Sequence, residues 1–415
     1  MPETAPALPV ASKMALELAA FDRFGTATTI GETMAAGCER PVPTFTNEFW
    51  TSKQRAAKRL HEVPYRACFK PQLPRFFIER LSAPRDVVYD PFMGRGTTLL
   101  ESALLGRVPY GCDINPLSAV LARPRLVPPE LLEVEERLAA YAPAPHSDLP
   151  EELLVFYHPE TLREIVAVRT CLLGREEDGT LDRVDEWIRM VAISRLTGHS
   201  SGFFSVYTLP PNQAVSVASQ RKINERRGQT PPRRPVRDLI LRKSRSLLRG
   251  LSEGDIAGLR RLASRSLLLT EPASATPEIG GGSVRLVVTS PPFLDVVDYA
   301  RDNWLRCWFC GISAGDVPMT VVHDIAEWQE SMTEVFRELA RVLSRGGHVA
   351  FEVGEVRAGR VKLEEHVIPC GVRAGLTPEL VLINSQDFTK TSNCWGVSNR
   401  TKGTNTNRVV LFSRP

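Results

Sequence analysis

The chain has 415 residues, 43% of them hydrophobic and 24% charged, with a net charge of +4. This length accommodates one large domain with an insertion, or two domains. The apolar runs are too short and too interrupted by charge to span a bilayer, and the opening MPETAPALPVASKMALELAAF lacks the basic leader and long apolar core of a secretory signal. A cytoplasmic protein is expected.

Residues 1–45 are rich in Ala, Pro and Thr and predict a partly ordered leader. Leu73, Phe76, Phe77, Ile78 and Leu81 then recur at helical spacing after Pro71 and Pro74, and the Lys70-Pro71 pair ahead of them is a candidate cofactor-side loop. Asp86 to Tyr89 form a short β-type run leading into Asp90-Pro91-Phe92-Met93-Gly94-Arg95-Gly96-Thr97-Thr98. Leu99, Leu100, Ala103 and Leu104 mark a helix, and Val108 to Cys112 form a second strand ending in Asp113. This strand, glycine-rich turn, helix and strand suit a nucleoside: glycines let backbone approach the ligand, and a carboxylate at a strand end accepts both ribose hydroxyls. The dinucleotide fingerprint lacks its third glycine and no Gly-Lys-Ser/Thr follows, which favours a nucleoside without pyrophosphate.

Pro124 to Pro150, with several prolines around LLEVEERLAAY, reads as the exit from this first part. Helical periodicity returns over 161–173 and 184–196. Gly, Ser, Asn and Gln then mix with Phe203, Phe204 and Tyr207, and Arg221 to Arg249 hold eleven Lys and Arg against Glu225 and Asp238. Aromatics for stacking, amides for base edges and arginines for phosphates are the residue types of a nucleic-acid surface. A solvated basic linker is the alternative for the charge, and core packing the alternative for Phe203 and Phe204.

After Gly280-Gly281-Gly282 the apolar run Val284 to Val288 predicts a buried strand, stopped by Thr289-Ser290-Pro291-Pro292-Phe293. A hydroxyl, two rigid carbonyls and an aromatic face at a strand's carboxyl end can receive a planar base with an exocyclic amine. A helix is expected over Trp328 to Leu343, and strands over His348 to Val353, Leu380 to Ile383 and Val409 to Phe412. The eight cysteines show no disulfide rhythm. Cys307 and Cys310 alone have metal-like spacing, with His323 a third candidate, but core packing is favoured and no metal is expected.

DPFMGRGTT, a second strand ending in Asp113 and the later TSPPF together resemble the amino-group DNA methyltransferases that use S-adenosylmethionine. The Ser-Pro-Pro-Phe form resembles their N4-cytosine members, since the adenine members more often carry an acidic residue at the place of Ser290. Cofactor motif, long basic segment and catalytic motif follow in the order of the subgroup whose target-recognition region lies between the two. The resemblance covers about residues 45–125 and 280–415. It implies an α/β fold with a doubly wound, mostly parallel, Rossmann-like sheet, split into 46–125 and 281–415 by a helical, basic target-recognition insertion at 126–280. It also implies a cofactor cradle of Lys70, Asp90, Pro91, Phe92, Gly94, Gly96 and Thr97, with Asp113 on the ribose and Ile114, Asn115 and Pro116 beside the adenine. Ser290, Pro291, Pro292 and Phe293 would hold a flipped cytosine, and Arg221, Lys222, Arg226, Arg227, Arg233 and Arg234 would meet double-stranded DNA. A cognate restriction endonuclease is a candidate partner. The alternatives are an adenine-N6 methyltransferase, one acting on RNA or a protein glutamine, and a non-catalytic DNA-binding specificity subunit.

Overall fold

The computed structural model describes residues 13–51, 57–65, 68–141, 149–209, 214–292, 299–313, 315, 317, 324–356, 361–385 and 406–415. Within 13–47 the chain forms α1 (Lys13–Ala19), β1 (Thr29–Thr33) and β2 (Val42–Asn47), so much of the expected leader joins the sheet. Then come α2 (Gln72–Leu81), β3 (Val87–Asp90), α3 (Thr97–Leu104), β4 (Val108–Cys112) and α4 (Leu117–Leu126).

Six helices follow and share a core with α3 and α4: α5 (Leu131–Ala140), α6 (Pro159–Glu177), α7 (Arg183–Ile193), α8 (Val217–Arg227), α9 (Val236–Leu248) and α10 (Glu253–Ala263). They close around Trp187, Phe156, Tyr157, Ile188 and Phe204, all buried. Phe204 is therefore core, whereas Phe203 is half-buried. Inside the 126–280 segment β5 (Leu267–Leu269) already returns to the sheet, pairing with β4.

The second part of the sheet follows with β6 (Val284–Thr289), α11 (Tyr299–Cys310), α12 (Ile325–Val342) and β7 (Leu343–Val353). A small hairpin, β8 (Glu355–Val356) with β9 (Val361–Lys362), precedes α13 (Leu363–Arg373), β10 (Thr377–Ser385) and β11 (Thr406–Ser413). The nine-stranded sheet runs β1-β2-β10-β11-β7-β6-β3-β4-β5. From β5 to β7 every pairing is parallel; β11 is antiparallel to both β7 and β10, and β10 runs parallel to β2. This is the doubly wound, mostly parallel α/β sheet that the sequence predicts.

The two-residue period of the strands assigns their side chains to opposite layers. Val88, Leu286, Val288 and Ala350 pack with Phe76, Phe77 and Ile78 of α2 and with α1. Tyr89, Val287, Val349 and Phe351 pack on the other face against Phe336 and Leu339 of α12 and Val367 and Ile368 of α13. With both faces covered, the central strands read as continuous apolar runs. From β3 the chain passes outward through β4 to β5, and then crosses to β6 on the other flank of β3. The carboxyl ends of β3 and β6 therefore flank the switch point, where open α/β sheets form a crevice.

Candidate active site

At the end of β3 the chain must turn sharply into α3. Gly94 (φ +46°) and Gly96 (φ +72°) supply the left-handed conformations, Gly96 as the N-cap of α3. A Cβ at Gly96 would lie 2.7 Å from that of Ala122, so α4 leaves no room for a side chain. A Cβ at Gly94 would stand 3.5 Å from the Tyr65 ring, in van der Waals contact with it.

Asp90, 1% exposed, binds the loop from below: Oδ1 accepts from the Phe92 amide at 3.1 Å and from Thr289 Oγ1 at 2.6 Å. Thr98 Oγ1 donates to the Val288 carbonyl at 3.1 Å. These bonds fasten the glycine loop to the end of β6, one residue before Ser290. Burial pushes the Asp90 carboxyl up to about 7, against the pull of its bonds to Thr289, Thr98 and Phe92.

Asp113 sits at the end of β4, partly exposed, accepting from the Gly94 amide (2.8 Å) and the Asn115 amide (2.9 Å) on separate oxygens. Burial raises its pKa as well. Asn115 is buried with Oδ1 accepting from Leu117 N, so it shapes the start of α4, while Ile114 is half-buried. Pro91 and Thr97 are buried and Phe92 half-buried.

Residues 63–65 and 68–70 lie against the loop. Arg95, 7% exposed, donates to the carbonyls of Val63 (2.9 Å) and Phe69 (3.4 Å) and to Thr97 Oγ1 (3.1 Å). His61 Nε2 meets Glu101 Oε1 of α3 at 2.7 Å, both groups buried. Lys70 is exposed, its pKa lowered by burial and by Arg95. The Tyr65 ring and the Asp113 carboxylate thus both stand against Gly94.

On the β6 side, Ser290 is partly exposed, Pro291 buried and Pro292 exposed, with the Pro292 carbonyl accepting from Trp328 Nε1 at 3.2 Å. Phe293 lies outside the described residues. Ser290 hydrogen-bonds Glu352 of β7, which also accepts from Asn407 Nδ2 at 3.1 Å. Glu352 is 6% exposed and burial raises its pKa, while Ser290 and Asn407 pull it down. Sequence reasoning missed Glu352, Thr289, Tyr65 and Arg95. An acid inside the apolar run of HVAFEV, and an arginine between two loop glycines, were the available signals.

The basic segment is less uniform than its composition. Arg221, Lys222, Arg226 and Arg227 are exposed on α8, with the Arg227 guanidinium over the Tyr207 ring at 3.9 Å. Arg233 pairs with Glu160 at 2.7 Å, and the Arg234 backbone exchanges hydrogen bonds with Thr161 Oγ1. The amides of Gln220, Asn224 and Gln229 hold one another and the carbonyls of Tyr207 and Val155. Those amides are committed to the scaffold. Cys307 and Cys310 are buried free thiols in α11, and His323 lies outside the described residues. Among the described residues no group of His, Cys, Asp and Glu could hold a metal, and no helix is long and apolar enough to cross a membrane.

Residues 31–121 match the family model described as DNA methylase. The match takes in Lys70, the Asp90 to Gly96 loop and Asp113, and stops before Ser290. The chain is 37% identical over 76 residues to the type II methyltransferase M.MjaII of Methanocaldococcus jannaschii, covering 18% of this chain and 14% of that one. It is 33% identical over 152 residues to the type II methyltransferase M.MvaI of Kocuria varians, covering 35% and 29%. The aligned stretches thus span less than a third of either relative. Among solved structures, TrmN from Thermus thermophilus is 13% identical with a TM-score of 0.33, covering 86% of this chain and 52% of that one.

Proposed function

We propose that this chain transfers a methyl group from S-adenosylmethionine to the exocyclic N4 amine of a cytosine turned out of duplex DNA. The observation that carries this reading is the 2.6 Å bond from Thr289 to Asp90 across the switch point. Direct transfer between a nucleoside cofactor and a base needs both pockets at one place, and this bond joins the cofactor-type loop to the Ser-Pro-Pro loop. The match to the DNA methylase family over 31–121 supports the cofactor half. Serine at position 290 supports cytosine over adenine, and the exposed cations of α8 support DNA.

S-adenosylmethionine, when bound, supplies a methyl group already attached to a good leaving group. Gly96 lets the loop close against α4 and Gly94 keeps a side chain off the loop's Tyr65 side, Asp113 receives the ribose hydroxyls, and Ile114 and Asn115 border the adenine. Lys70, Asp90, Pro91, Phe92 and Thr97 complete the cradle. The cytosine amine is a weak nucleophile because its lone pair is delocalised into the ring. Glu352 accepts the Ser290 hydroxyl proton, which turns the serine's lone pairs toward an incoming amine. Accepting the amine's N–H bonds there and at the Pro291 carbonyl favours a pyramidal nitrogen aimed at the methyl carbon. Positioning and electrostatics then supply the rate: the C–N bond forms as the C–S bond breaks, and the amine proton passes to solvent. Phe293 is assigned the stacking that the extruded base loses, and Arg221, Lys222, Arg226 and Arg227, with Arg233 and Arg234, the phosphates. Restriction-modification or epigenetic marking is the proposed setting.

The test incubates the purified chain with tritiated-methyl cofactor and duplex DNA and digests the product to nucleosides. Label in N4-methylcytosine is expected. Label in N6-methyladenine moves the target to adenine, and DNA binding without any label makes the chain a specificity subunit and overturns the proposal.

A further inference from the structure

α8 has no apolar stripe: of its 11 residues only Gln220 is buried. A helix that is polar all round needs attachments other than hydrophobic packing. Gln220 Nε2 donates to the Tyr207 carbonyl at 3.1 Å, Asn224 Nδ2 donates to the Val155 carbonyl at 2.8 Å, and the Arg227 guanidinium lies 3.9 Å from the centre of the Tyr207 ring. The start of α8 hangs from α11. Ala214 N donates to the Asp302 carbonyl at 3.1 Å and Trp304 Nε1 to the Val215 carbonyl at 3.3 Å, just ahead of the Ser216 N-cap. Asp302 and Trp304 lie in the first two turns of α11, the helix that follows the Ser-Pro-Pro loop in the chain.

These attachments decide which side of α8 faces outward. With about 3.6 residues per turn, Ala218, Lys222 and Glu225 turn away from Gln220 and Asn224, with Arg221 on one flank and Arg226 on the other. All five are exposed. Among the described residues, the side chains of Arg221, Lys222, Glu225 and Arg226 make no hydrogen bond or ion pair. The three cations complement a nucleic-acid backbone, and Glu225 is the discordant group among them. On a merely solvated face Arg221 and Lys222, at i−4 and i−3, are placed to pair with it, and neither does. A phosphate repels a carboxylate, so the partner that Glu225 can take from DNA is a base amine. In the major groove that donor is the N4 amine of cytosine, and the groove, roughly 12 Å wide, admits a helix.

We propose that α8 lies in the major groove beside the extruded nucleotide and that Glu225 accepts a hydrogen bond from the N4 amine of a paired cytosine there, while Arg221 and Arg226 reach the phosphates on either side; this rests on duplex DNA being the substrate. Glu225 is then a specificity-determining residue. It fixes one base pair of the recognised site and, by repelling phosphate, weakens attachment to other sequences.

The test selects duplexes from a randomised pool with the full wild-type chain and with Glu225→Ala, sequences both pools, and measures anisotropy of a fluorescein-labelled random-sequence duplex across a salt series. The wild-type pool should contain one position at which C·G is favoured about tenfold, and that preference alone should vanish in Glu225→Ala. The variant should also bind the random-sequence duplex more tightly than wild type. Arg226→Gln should instead weaken every duplex alike and make the slope of log K against log salt shallower by about 0.9. A variant pool identical to the wild-type pool, or a wild-type pool with no preferred position, would overturn base reading by Glu225 while leaving the proposed methyl transfer intact. Failure of the wild-type chain to bind any duplex would sink the DNA reading, and the role of α8 with it.

Discussion

Asp90 offers a perturbation whose sign and size follow from its surroundings. Its carboxyl titrates at about 7 in the folded chain, against 3.8 for an unperturbed aspartate, because it is buried. The folded chain therefore holds this proton more tightly than the unfolded chain. Relative to high pH, this stability is fully present below about pH 4, where Asp90 is neutral in both states, and is lost as pH rises to about 7. Three units at 1.36 kcal/mol each put the effect at about 4 kcal/mol. Asp90→Asn removes it with the hydrogen bonds kept, since the amide oxygen can accept from Phe92 and Thr289 and the amide nitrogen can donate to Thr98 Oγ1. In urea titrations without cofactor, the variant should match wild type near pH 4 and exceed it by up to about 4 kcal/mol at pH 8. Methyl transfer should fall, as expected where a site sacrifices stability for function. A variant less stable than wild type at pH 8, or a difference that stays constant from pH 4 to 8, would refute this account of Asp90.

Ser290→Ala should lower single-turnover methyl transfer about a hundredfold with cofactor affinity unchanged; equal losses in both would make Ser290 a structural residue. Glu352→Gln, which can still accept the serine proton, should be milder than Glu352→Ala in the same assay. Gly96→Ala places a methyl group 2.7 Å from Ala122 at a positive φ and should cost about 1 to 3 kcal/mol, read as a lower melting temperature and weaker cofactor binding. Asp185, buried among Arg137 (2.5 Å), Arg175 (2.7 Å) and the Tyr141 hydroxyl (2.7 Å), anchors the helical layer. Asp185→Ala should cost about 3 to 5 kcal/mol by stranding its arginines, as measured by urea unfolding.

What the chain displays along its length are features with local causes. Gly94 and Gly96 are legible because a positive φ excludes most side chains, and the β3, β4 and β6 runs because strands covered on both faces must be apolar throughout. Asp113 is legible because it closes such a run. The doubly wound sheet is implied by the family resemblance of the motifs, not by these periods alone. Composition misleads where a side chain's duty depends on its partner. Gln220, Asn224 and Gln229 look like base readers but hold one another and the carbonyls of Tyr207 and Val155. Only the tertiary structure brings Thr289 to Asp90 and Glu352 to Ser290. Each of these contacts joins groups separated by tens to hundreds of residues, and their burial and pKa values arise only once the chain has folded around them. Backbone conformation and apolar period are properties of a stretch, whereas an electrostatic site is a property of a place.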